Sequence, residues 1–109
     1  MKEDTNPATD KLVRRFLLGI INLHILYHAQ NAPIYGKEFK AELERHGYEI
    51  SYGTLYPIFH NMAKDGYLHV EEKNINGKIR KYYSITEKGA EILAYSKDKV
   101  KELFDELFA

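Results

Sequence analysis

The chain has 109 residues, 44% of them hydrophobic and 29% charged, with a formal net charge of zero. That length suits one domain able to bury a core of its own, and that composition excludes a disordered or low-complexity chain. There is no cysteine, which excludes a disulfide framework and a thiolate metal site.

The N-terminus, "MKEDTNPATD", lacks the apolar core of a signal peptide, and its acids argue against a transit peptide. Residues 1–9 are read as a flexible arm. Asp10 or Asn6 can cap a first helix that runs to about Ala29. The apolar stretch from Phe16 to Ala29 is too short to span a membrane and is broken by Asn22, His24 and His28. A soluble, cytoplasmic protein with no membrane partner is expected. The apolar residues of this helix cover nearly its whole circumference, so it needs cover on two sides. A small domain supplies one side only, which assigns Phe16, Ile20, Leu23 and Tyr27 to an interface with a second copy.

"QNAPIYG" reads as a turn. A short amphipathic helix follows, about Tyr35 to Arg45, with Phe39 and Leu43 inward, stopped by His46-Gly47. Ser51 is the N-cap of a third helix that ends at Asp65-Gly66. Asn76-Gly77 is then a strong signal for a two-residue hairpin turn. That turn pairs Ile75 with Lys78, Val70 with Tyr83 and Leu68 with Ile85, placing Leu68, Val70, Tyr83 and Ile85 on the buried face. It also sets Glu72 opposite Lys81, which is favourable, and Lys73 opposite Arg80, which is not unless an anion sits there. Thr86 caps a last helix, Glu87 to Phe108, whose Val100, Leu103, Phe104, Leu107 and Phe108 form an apolar stripe at helical spacing.

Zero net charge taken alone argues against nucleic acid. The distribution argues otherwise, because residues 73–81 hold Lys73, Lys78, Arg80 and Lys81 with no acid among them, and a local basic stripe binds a polyanion. The order of elements is that of a winged helix-turn-helix. The expected fold is mainly α with a two-stranded β-wing: residues 10–86 form the DNA-binding domain and residues 87–109 a C-terminal dimerisation helix. In such folds the third helix enters the major groove, and dimers set two such helices about one DNA turn, ~34 Å, apart.

The third helix begins "SYGTLYPIFHNMAKDG". Opposite its apolar face stand Gly53, Pro57, His60 and Lys64, with Tyr56 and Asn61 at the margins and no acid. Pro57 removes the hydrogen bond to the Gly53 carbonyl and crowds it, and Gly53 can yield. This pair has two explanations. Either Pro57 simply kinks a surface helix, or a bare helix start approaches a phosphate.

"YGKEF", "GYEISYGTLYPIFHNMAKDGYL" and "KYYSITEKG" together resemble the PadR family of transcriptional regulators, over about Leu12 to Leu93. The resemblance favours the phosphate-facing explanation. It implies a winged-helix homodimer that binds operator DNA, commonly as a repressor, and that small aromatic or lipophilic effectors release in many members. On this basis the DNA-binding residues are Tyr35, Gly36 and Lys37 before and in the second helix. Ser51, Tyr52, Gly53, Thr54, Tyr56, Pro57, His60, Asn61 and Lys64 follow on the third, and Lys73, Gly77, Lys78, Arg80 and Lys81 on the wing. The dimer interface is Phe16, Ile20, Leu23, Tyr27, Val100, Leu103, Phe104, Leu107 and Phe108. The chain departs from some relatives in lacking tryptophan, so no ligand can stack between indoles, and in the less acidic end of the third helix. Operator and effector are left open.

Other signals have plainer readings beside these. His24 and His28 stand at a metal-ligand spacing, but no acid or cysteine lies near in sequence, and packing or interchain hydrogen bonding is the preferred role. No metal and no cofactor are expected. His46, His60 and His69 are scattered, and His60 faces either DNA or plain solvent. Of the nine tyrosines, Tyr35, Tyr52, Tyr56 and Tyr82 are candidates for DNA contact, Tyr67 and Tyr83 for packing under the wing, and Tyr27 and Tyr95 for an interface cavity; a core role competes for each. No phosphate loop, nucleophile elbow or metal-binding helix motif is present, so no enzyme is expected. The alternative is a winged helix used for protein contacts, whose wing should lack a cationic tip.

Overall fold

The computed structural model describes residues 6–109; of the expected N-terminal arm, residues 1–5 lie outside that range. Both candidate caps are used. Asn6 caps a 3-10 turn, Pro7–Thr9, and the Asp10 carboxylate accepts from the Leu12 and Val13 N–H groups at 2.8 and 3.3 Å to start α1, Lys11–Asn31. Helix α2 spans Gly36–Arg45 and α3 spans Tyr52–Lys64. The Ser51 hydroxyl accepts from the Thr54 N–H at 3.2 Å, as an N-cap should. Strands β1, Leu68–Ile75, and β2, Lys78–Ile85, follow, and α4 spans Glu87–Leu107. Among the described residues, no helix is long and apolar enough to cross a membrane.

The hairpin has the register that its turn dictates. Asn76 and Gly77 have φ of 51° and 83°, the two left-handed residues of a type I′ turn, and the Asn74 side chain accepts from the Gly77 N–H at 2.9 Å. Leu68 faces Ile85, Val70 faces Tyr83 and Lys73 faces Arg80. The expected buried face is only partly buried, however. Leu68 and Tyr83 are inside, whereas Val70 is 39% exposed. The hairpin outruns the core, so only its base has anything to pack against.

The core is one cluster. Ile21, Ile25, Leu26 and Ala29 of α1 meet Phe39 and Leu43 of α2, Leu55, Phe59 and Met62 of α3, the base of the wing and Leu93 of α4. Its centre is aromatic: Phe39 sets its edge against Phe59 at 5.7 Å between centroids, and Phe59 stacks on Tyr83 at 4.7 Å. Ile34, within the segment expected to be a simple turn, is buried and pairs with Tyr83 in a single isolated antiparallel bridge. Its N–H donates to the Tyr83 carbonyl at 2.9 Å, and the Tyr83 N–H donates back at 2.7 Å. The start of α4 is fixed as tightly. A Cβ at Gly89 would clash with the Tyr67 carbonyl oxygen, and the Thr86 hydroxyl donates to the Gly66 carbonyl at 2.5 Å.

Much apolar surface is left over. Leu12 and Phe16 of α1 are exposed, as are Val100, Leu103, Phe104, Leu107 and Phe108, the last at 72%. Within the core, Tyr83→Ala should cost about 3–5 kcal/mol, the usual loss for a buried aromatic ring, while Tyr83→Phe should cost under ~1.5 kcal/mol. Denaturant unfolding with unchanged m-values checks both; equal effects would mean that the ring is not the packing element.

Candidate nucleic-acid interface

The outward face of α3 is built by the sequence pattern. Leu55, Phe59 and Met62 are buried, so Tyr52, Gly53, Tyr56, Pro57, His60, Asn61 and Lys64 are exposed, with the cap Ser51 beside them. Thr54 is half-buried, and its hydroxyl accepts from the Ser51 hydroxyl at 3.2 Å. The Tyr52 and Tyr56 rings stack at 5.1 Å, with the Lys40 ammonium 5.2 Å over the Tyr52 ring. The two glycines expected here differ in kind. A Cβ on Gly36 would come within 2.5 Å of the Tyr56 ring, so that glycine serves the contact between α2 and α3. A Cβ on Gly53 would meet only the Ser51 hydroxyl, at 3.7 Å. Among the described residues outside its own helical turn, nothing else would meet that Cβ.

The wing resolves its own charge conflict. Lys73 and Arg80 are directly opposite, but each lies over an aromatic ring. The Lys73 ammonium is 5.3 Å from the Tyr82 centroid, and the Arg80 guanidinium is 4.8 Å from the Tyr35 centroid. The Tyr35 and Tyr82 rings themselves meet at 5.3 Å. Cation–π contact of this kind offsets repulsion. A hydrogen bond to Tyr82, chiefly, raises the Arg80 pKa above its ordinary value. Tyr82 is the residue that strand pairing alone undervalues, because its partner Tyr35 arrives from outside the hairpin.

Between the start of α2, α3 and strand β2 lies a cleft of about 670 Å³. It gathers Tyr35, Gly36, Lys37, Tyr56 and His60 on one wall and Lys78, Arg80 and Lys81 on the other. No carboxylate lines it, so the field inside is positive. Ser51 to Gly53 and Pro57 lie outside it at the beginning of α3, and Lys73 and Gly77 lie on the wing. Asn61 borders a different concavity, of about 440 Å³, with Asn22, Ile58 and Asp65.

On the opposite side, α1 and α4 diverge around an apolar groove of about 600 Å³. Ile20, Leu23 and Tyr27 line it from α1, with Val100 and Phe104 from α4. Phe16, Leu103, Leu107 and Phe108 are exposed.

Residues 25–95 match the transcriptional regulator PadR-like family. The transcriptional regulator Rv3488 of Mycobacterium tuberculosis is 37% identical over 95 residues, spanning 87% of this chain and 89% of that one. Among solved structures, a PadR-like transcription factor from Bacteroides fragilis has a TM-score of 0.77 at 26% identity, over 90% of this chain and 96% of the other. A PadR-like transcriptional regulator from Bacillus cereus has a TM-score of 0.73 at 32% identity, over 86% and 96%.

Proposed function

The chain belongs to the PadR-like family of transcriptional regulators, and from that membership we propose that it is a homodimeric repressor. It binds operator DNA sequence-specifically in the cytoplasm and is released by a small lipophilic or aromatic effector. It is a regulator, not an enzyme. The observation that carries the DNA reading is the acid-free cationic cleft between α3 and the wing, beside a helix start left bare at Gly53. In this reading α3 lies in the major groove. Gly53 and Pro57 bring its start to a phosphate, and Tyr56, His60 and Asn61 face base edges. Lys73, Lys78, Arg80 and Lys81 hold the flanking backbone, since phosphate contacts position and base contacts specify. The same cationic wing argues against a module that binds only protein.

Labour divides along the chain. Residues 10–86 bind DNA, and residues 87–109 hold two copies together by burying the stripe on α4 against the outer side of α1. The apolar groove between those helices, with Tyr27 in its wall, suits an apolar effector.

A gel-shift assay on the region upstream of its own operon is the direct test; no shift would reject operator binding. Three variants sharpen it. Replacing Lys78 and Arg80 by alanine should weaken binding to operator and random DNA alike, and should lower the salt slope by about 2, since each lost phosphate contact removes ~0.9. An unchanged slope would remove the wing as a phosphate clamp.

Gly53→Val should abolish operator binding while costing under ~1 kcal/mol of helix propensity. Melting temperature and operator affinity, measured together, decide this: affinity that survives, or that falls only with a collapsed melting temperature, assigns Gly53 to the fold instead.

Deleting residues 98–109 should yield a monomer or an aggregating chain, because each large apolar side chain it removes from a buried interface is worth ~1.5–3 kcal/mol. Light scattering that finds an intact dimer would overturn the interface.

A further inference from the structure

We propose that His24, His28 and His46 form a binding site for a borderline divalent transition-metal ion such as Zn²⁺, where α1 meets the C-terminal end of α2. His24 and His28 are one turn apart on α1, and His46 is the residue that ends α2. The fold brings all three together, with one ring nitrogen from each within 4.8 Å of the others. A tetrahedral zinc site with Zn–N of ~2.0–2.1 Å holds its nitrogens ~3.4 Å apart. Closing that difference is within the reach of side-chain rotation: His24 and His28 are half-buried and His46 is exposed.

A carboxylate stands beside them. Glu42 Oε1 is 3.2 Å from His46 Nε2 and 4.0 Å from His28 Nε2. It is placed either to complete the ligand set or to accept from an imidazole N–H and fix the ring's orientation. Arg45 also bonds Glu42.

The three imidazoles also pack on one another, His24 lying 6.1 Å from His28 and 5.1 Å from His46 between ring centroids. His28 rests on Phe39 and His24 on Tyr48, at 5.8 and 5.7 Å between centroids. Those contacts orient the rings. Among the described residues, His24 has ring contacts but no hydrogen-bond partner. Imidazole nitrogens with one carboxylate oxygen suit Zn²⁺, Co²⁺, Ni²⁺ or Cu²⁺; Mg²⁺ and Ca²⁺ prefer all-oxygen sites.

The test uses the full chain and the metal alone. Calorimetry with Zn²⁺ should find a single site per chain, Co²⁺ should develop visible d–d absorption, and Zn²⁺ should raise the melting temperature. His46→Ala, at an exposed position that the core does not use, should weaken Zn²⁺ at least tenfold and abolish the thermal shift. His24→Gln should do the same, and His69→Ala should change nothing. Absence of Zn²⁺ binding would overturn the proposal. So would affinity unchanged in both His46→Ala and His24→Gln, or lost instead in His69→Ala. The readout is metal binding, so this proposal and the DNA reading can fail separately.

Discussion

The pair of backbone hydrogen bonds between Ile34 and Tyr83 is the constraint on which the rest of the binding face depends. Strand β2 has one partner in β1, and its other edge at Tyr83 is taken by the residue just before α2. The Tyr83 side chain meanwhile stacks on Phe59 of α3. One residue thus ties wing, α2 and α3 into a common frame. Each hydrogen bond contributes only ~1 kcal/mol net, but both are made where the backbone would otherwise be buried without partners. The cleft is bounded by elements joined through the core, so its two walls keep their spacing without help from a loop.

The frame also explains how a cationic wing can exist without DNA. The bridge brings Tyr35 alongside Tyr82, and these two rings receive the opposed Arg80 and Lys73. A cation over a ring gains ~0.5–1 kcal/mol at an exposed site, comparable with the repulsion of like charges across a strand pair. The aromatic pair therefore does in the free protein what an anion would do in a complex. Positive charge is held ready in a fixed place, and no carboxylate lines the cleft beside it. In the proposed reading, specificity comes from the other wall, from α3.

Local rules made most of this legible in advance. Caps, the Asn76-Gly77 turn and the alternation of the strands each act within a few residues, so the hairpin register and the helix limits could be read directly. What escaped depends on contacts between distant segments. Ile34 is a single paired residue with no period to betray it. Val70 follows the alternation faithfully, yet alternation says which way a side chain points and not how far the core extends beneath it. The exposed face of α3 was readable from its buried one, but the division of that face was not: His60 falls in the cleft with the wing, and Asn61 borders the concavity beside Asn22. His46 and Glu42 join His24 and His28 only because the C-terminal part of α2 reaches the His24–His28 face of α1, which no spacing within one helix can reveal.

Helix α1 is where these separate demands meet. Its inner side supplies Ile21, Ile25 and Leu26 to the core, and its outer side lines the groove with α4. Between the two, His28 places its ring edge on Phe39, which meets Phe59, which meets Tyr83. The histidine cluster is therefore one end of a packed aromatic series whose other end is the frame of the wing. Cores packed this closely pass on small displacements instead of absorbing them. An ion that drew His28 and His46 together would act on the end of α2 and on Phe39 at once. The groove side is different in kind. Leu93 is the last buried residue of α4, and the apolar stripe beyond it has no remaining segment of the described chain to cover it. In the proposed dimer, the exposed side of α1 in a second copy covers it.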